Sequence, residues 1–91
     1  MDAVGRGIYL YNKTKRYEGE WKDGNPHGEG RMIAGMESYQ GQWKNGLKDG
    51  QGRMRYANGD VYEGEWMRGV KWGMGTLTTK DGVMTGTWES G

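Results

Sequence analysis

The sequence predicts an all-β chain built from repeated β-hairpins, and three observations predict it. First, a five-residue block recurs as Tyr17-Glu18-Gly19-Glu20-Trp21, Tyr39-Gln40-Gly41-Gln42-Trp43 and Tyr62-Glu63-Gly64-Glu65-Trp66. An eroded copy, Met84-Thr85-Gly86-Thr87-Trp88, continues the series, and successive tryptophans stand 22, 23 and 22 residues apart. Second, side chains alternate within each block with the period of two that belongs to a strand. Third, the chain holds 19 glycines, and most fall at fixed places in the period. A fixed period of this length marks a repeat architecture, in which each unit buries its apolar face against its neighbours.

Taken in order, the predicted strands are roughly 5–11, 15–21, 28–34, 37–43, 50–57, 60–66, 73–79 and 82–88. Every second strand opens on a Gly-x-Gly: Gly5-Arg6-Gly7, Gly28-Glu29-Gly30, Gly50-Gln51-Gly52 and Gly73-Met74-Gly75. Six residues separate each of the first three tryptophans of the blocks from the next Gly-x-Gly, and they contain Asp23-Gly24, Asn45-Gly46 or Arg68-Gly69. The first two pairs are strong signals for a type I′ hairpin turn, which needs positive φ at both central residues. The other connections are expected at Lys13-Thr14-Lys15, Met36-Glu37, Asn58-Gly59-Asp60 and Asp81-Gly82. No segment shows a helical period.

Alternation also predicts the faces. A register that opposes Trp21 to Gly28 opposes Gly19 to Gly30 and Tyr17 to Met32. Across the other connection, Tyr11 faces Tyr17, Tyr9 faces Gly19 and Gly7 faces Trp21. The same rule sets Trp43 between Gly50 and Gly30, Trp66 between Gly73 and Gly52, and Trp88 against Gly75. Trp21, Trp43, Trp66 and Trp88, with Gly19, Gly30, Gly41, Gly52, Gly64 and Gly75, are thus the expected repeat core. In this reading the glycines clear space for the indole rings. The opposite face carries Glu18, Glu20, Arg31, Gln40, Gln42, Arg53, Arg55, Glu63 and Glu65, then threonines 76, 78, 85 and 87. Glu18 opposite Arg31 is a cross-strand pair, whereas Glu20 opposite Glu29 brings like charges together.

Composition bounds the function. Of 91 residues only 33% are hydrophobic and none is Phe, so the five Trp and six Tyr must supply the buried area. Thirteen basic and 12 acidic side chains leave a net charge of +1, without the basic excess of a nucleic-acid binder. There is no Cys, no export signal and no apolar run long enough for a membrane span. The expectation is a cytoplasmic protein, peripheral to membrane or cytoskeleton.

The Tyr-x-Gly-x-Trp block, the glycine-bearing turn and the Gly-x-Gly together resemble the MORN repeat (membrane occupation and recognition nexus), best in the stretch from Tyr17 to Gly30. The resemblance runs from Gly5 to Trp88. It implies an elongated, single-layered, twisted antiparallel sheet, and a scaffold or adaptor that binds phospholipid, binds protein segments in a groove, or dimerises. The chain then divides into a half repeat 5–16, repeats 17–38, 39–61 and 62–83, and a terminal half repeat 84–91, all within one array spanning 1–91. His27 matches the family's turn histidine, whereas Asp49 and Trp72 replace it in the next copies, and Met84 replaces the last tyrosine. The low repeat number leads us to expect an excised piece of a longer array, or a small designed or truncated chain.

Catalysis is not expected. His27 is the lone histidine, no metal-binding pair exists, and no cofactor is implied. Glu18 with Glu20, and Glu63 with Glu65, lie on a solvated face rather than in an acid–base pair. The Gly-x-Gly units lack the helix and lysine of a phosphate loop. The expected activity is docking of a helical or extended protein segment, with Tyr9, Tyr11, Tyr17, Met32, Tyr39, Met54, Tyr56, Tyr62 and Trp72 as candidate contacts. The alternative is anionic lipid, held by Lys13, Lys15 and Arg16 and by Arg53 and Arg55, each cluster short of the 4–8 charges usual for such sites. Open edges at 5–11 and 82–88 also predict self-association into a homodimer, with Thr85 and Thr87 giving the second edge little charge against it.

Overall fold

The computed structural model describes residues 4–89. They form eight antiparallel strands: β1 (Val4–Leu10), β2 (Lys15–Lys22), β3 (Asn25–Ala34), β4 (Glu37–Lys44), β5 (Leu47–Arg55), β6 (Val61–Met67), β7 (Val70–Thr79) and β8 (Gly82–Trp88). Their order in the one sheet is their order in the chain. The molecule is elongated, 45 × 27 × 16 Å. No helix occurs among the described residues.

Three hairpins turn on two residues, and at each both residues have positive φ: Asp23 and Gly24 (51° and 82°), Asn45 and Gly46 (52° and 85°), Arg68 and Gly69 (49° and 90°). These are the type I′ turns, which match the right-handed twist of the flanking strands. Arg68 adopts the left-handed conformation without the side-chain chemistry that favours it, so the repeat imposes the turn there.

Strands β3, β5 and β7 start about three residues earlier than the sequence suggests, directly after each turn. The reason is a bulge. Trp21 pairs with Pro26 and Gly19 with Gly30, leaving one residue on β2 opposite three on β3. The same step recurs with Trp43 on Lys48 and Trp66 on Lys71. Trp21 therefore does not oppose Gly28, nor Trp43 Gly50, nor Trp66 Gly73. The bulge has its own cap. The Glu20 carboxylate accepts from the Glu29 N–H at 2.8 Å, Gln42 from Gln51 at 2.7 Å and Glu65 from Met74 at 2.9 Å. Glu20 beside Glu29 is thus a side-chain-to-backbone bond, not a like-charge clash.

At the other four connections the tip lies one residue earlier than predicted. The observed tips centre on Asn12-Lys13-Thr14, Gly35-Met36, Ala57-Asn58-Gly59 and Lys80-Asp81. Local turn chemistry decides this. Asn12 Oδ1 accepts from the Thr14 N–H at 2.9 Å, and Gly35 and Gly59 take positive φ of 62° and 94°. Moving a tip by one residue shifts the register by two. Hence Tyr9 faces Tyr17, Gly7 faces Gly19, and Trp43, Trp66 and Trp88 face Gly28, Gly50 and Gly73. A shift of two preserves the faces, so the predicted division into aromatic and polar sides stands.

One register row contains only glycine across all eight strands: Gly7, Gly19, Gly30, Gly41, Gly52, Gly64, Gly75 and Gly86. Tyr17, Tyr39 and Tyr62 lie back along this row. A Cβ on Gly30, Gly52 or Gly75 would fall inside the phenol of Tyr17, Tyr39 or Tyr62 respectively. So the glycines of the row make room for tyrosine rings. Room for an indole is made at Gly5, where a Cβ would meet Trp21.

Candidate functional site

The aromatic face is built from two further rows beside the glycines. One reads Tyr9, Tyr17, Met32, Tyr39, Met54, Tyr62, Leu77 and Met84 across the strands. The other carries the tryptophans. Edge-to-face ring contacts join the two rows into a ladder: Tyr17 to Trp43 (5.6 Å between centroids), Trp43 to Tyr39 (4.9 Å), Tyr39 to Trp66 (5.4 Å), Trp66 to Tyr62 (5.2 Å) and Tyr62 to Trp88 (5.6 Å). This geometry sets the positive ring edge against the negative face. Trp21 belongs to a separate branch with Tyr9 and Tyr11.

Polar ends of the buried rings are satisfied. The Nε1–H groups of Trp43, Trp66 and Trp88 donate to the carbonyls of Gly30, Gly52 and Gly75 at 3.0, 3.2 and 3.2 Å. The tyrosine hydroxyls donate within their own strands, Tyr17 to Glu20 O, Tyr39 to Gln42 O at 3.0 Å and Tyr62 to Glu65 O at 3.1 Å. Burial disfavours the phenolates. It pushes the Tyr17 pKa up to about 12, helped by the Glu20 charge, and raises those of Tyr39 and Tyr62.

These facts sort the candidate contact residues. Tyr17, Tyr39 and Tyr62 are 0%, 1% and 0% exposed, so they are core and offer no free ring edge, a correction to the sequence expectation. Met54 is also buried, whereas Met32, Tyr9 and Tyr56 pack at the margin of the core. Tyr11 is exposed. Trp72 stands apart, exposed within the β7 bulge. Its equivalents His27 and Asp49 accept from the next turn, His27 Nδ1 from the Asn45 N–H at 3.4 Å and Asp49 Oδ2 from the Arg68 N–H at 3.3 Å.

What remains open on the aromatic face is a groove of about 320 Å³ lined by Met32, Tyr39, Trp43, Leu47, Lys48 and Met54. It continues along Tyr56, Lys71 and Leu77, with Glu37 lining both stretches. Sequence reasoning missed the lysines. Lys48 Nζ lies over Trp66 (5.1 Å to the centroid) and Tyr39 (5.6 Å). Lys71 Nζ lies over Tyr56 (5.4 Å), Trp88 (5.5 Å) and Tyr62 (5.7 Å), and donates to the Tyr56 hydroxyl at 3.3 Å. Burial lowers the Lys48 pKa, against the opposing charge of Glu37. The signal was available: Lys48 and Lys71 each follow a block tryptophan by five residues, where the first repeat has Pro26.

The basic residues considered for lipid do not converge. Lys15 shares the aromatic face with Tyr17 and lies over the Tyr11 ring at 5.1 Å. Arg16, Arg53 and Arg55 lie on the opposite face, where Arg16 pairs with Glu18 at 3.4 Å and Arg53 with Glu63 at 4.0 Å. Lys13 sits at the tip of the β1–β2 connection. No group of three or more His, Cys, Asp or Glu suited to a metal occurs among the described residues.

A single-layer meander with a continuous ring ladder and one solvated face defines a β-repeat protein. The MORN-repeat sequence pattern matches residues 17–35, 39–61 and 62–84, and the chain belongs to the MORN-repeat family. Repeats of this family mediate binding to proteins or membranes.

Proposed function

We propose that this chain is a non-catalytic scaffold that docks a protein segment on its aromatic face. The observation that carries the reading is the groove itself. Met32, Leu47 and Leu77 line it above a floor of buried rings, and no second layer covers it among the described residues. Apolar side chains over a rigid aromatic floor suit the anchors of a partner segment. The opposite face, rich in ion-paired and hydrogen-bonded side chains, keeps the sheet in solution.

Methionine methyl resonances test this. Met32 and Met54 report on the groove, while Met67 and Met74 are exposed and serve as internal reference. Peptides selected from a random-sequence library should move the first pair and leave the second still. Binding of phosphatidylserine vesicles with no peptide able to move Met32 or Met54 would replace docking with lipid recognition.

A further inference from the structure

We propose that the groove selects an acidic segment, with Lys48 and Lys71 as paired carboxylate receptors. The inference rests on the docking reading above and gives that partner its chemistry. Both lysines are placed by the repeat, each paired with a block tryptophan on the turn side of the bulge, and each ammonium lies over one tryptophan of the next unit. Neither has a carboxylate within ion-pair distance among the described residues.

The neighbouring acids do not neutralise them. Among the described residues Glu37 is the one acid on the groove side of a strand, and it stands at the margin of both stretches. Asp60, in the β5–β6 connection, accepts from the Asn58 side-chain amide at 3.2 Å. A cation spread on aromatic faces has already shed part of its hydration. A carboxylate arriving from above then finds a desolvated, pre-positioned partner, and the cost that usually cancels an ion pair is smaller.

Geometry fixes the spacing. Strands β5 and β7 are two strand separations apart, about 10 Å. A segment crossing the strands needs two carboxylates roughly that far apart, about seven residues along a helix or about three along an extended chain. Aliphatic side chains between them would meet Met54 and Leu77. The first repeat has Pro26 in place of a lysine, so the receptor begins at β5.

The test uses the whole chain and an unbiased random-sequence peptide library. Selected groove binders should be enriched in Asp and Glu, and should lose affinity by about tenfold when those residues become amides. The difference should vanish in K48Q/K71Q, and K48E/K71E should prefer the same peptides carrying Lys in place of Glu. That reversal keeps the test decisive if one variant is less stable. Binders that move the Met32 and Met54 methyls without acidic preference overturn this proposal and leave docking intact. A library that yields no binder moving those methyls overturns both.

Discussion

Tyr39 and Gly52, on adjacent strands, occupy one volume: the phenol of Tyr39 fills the place where a Cβ of Gly52 would stand. Gly52→Ala must therefore push a fully packed ring off its seat, against backbone on one side and Trp66 on the other. A loss of about 3 kcal/mol is expected from such overpacking. Gly7, in the same row on β1, has nothing within 4 Å of its Cβ position. Gly7→Ala should change stability by less than about 0.5 kcal/mol. Urea unfolding of both variants checks the contrast, and equal effects would mean that the ring does not lie on the row.

Trp66 touches Tyr39 and Tyr62 and donates to Gly52 O. Trp66→Ala removes the middle of the ladder and should cost roughly 3–5 kcal/mol. Trp21, half-buried on its own branch, should cost less. Near-ultraviolet circular dichroism should lose its aromatic signal well beyond one ring's share in the first variant.

Glu65 caps a bulge by accepting from Met74 N–H, and Gln42 performs the same task one repeat earlier. The acceptor oxygen matters there, not the charge. Glu65→Gln should be nearly neutral, whereas Glu65→Ala should lose about 1 kcal/mol. Thermal unfolding of the pair separates the two roles.

The buried phenols set the response to alkali. An unfolded tyrosine ionises near pH 10, while folded Tyr17 holds its proton to about 12 and Tyr39 and Tyr62 are raised in the same sense. Their contribution is fully present below about pH 10 and is lost as pH rises from there through the folded value. Phenolate absorbance should rise in two stages, the second coinciding with the change in tryptophan fluorescence. A single stage near pH 10 with the fluorescence unchanged would refute it.

Strand β8 leaves Val83 and Met84 exposed, and its outward Thr85 and Thr87 carry no charge. If chains associate through this edge, T85K/T87K should return them to monomers. Light scattering over a concentration series reads the mass directly, and an unchanged mass would exclude the edge.

The strand count, the I′ turns and the two faces were legible because each is a local pattern: Asp23-Gly24 marks its own turn, and alternation from Tyr17 to Trp21 marks its own face. The bulge was not. It shows in the sequence only as six residues between Trp21 and Gly28, equally suited to a loop, and its cap joins Glu20 to a backbone N–H that no residue type identifies. Placing Tyr17, Tyr39 and Tyr62 among the candidate contacts failed for a related reason. Whether Tyr17 lies outward or along a glycine row depends on a ring angle, which alternation leaves open. Lys48 and Lys71 were not legible as a charge site because each is a single cation over rings and belongs to no cluster in the sequence.

Trp43 and Trp66 each meet the tyrosine of their own repeat and the tyrosine of the repeat before, and Trp88, whose own copy has Met84, meets Tyr62 of the repeat before. The cassette that folds is thus offset from the cassette that repeats in the sequence. A gene cut at the motif boundary, between 38 and 39, parts Tyr17 from the indole that covers it. Units copied or exchanged in such a lineage stay compatible only while every tyrosine inherits a tryptophan downstream. Every junction then makes the same contact, so array length is free to drift by duplication without any new interface being invented.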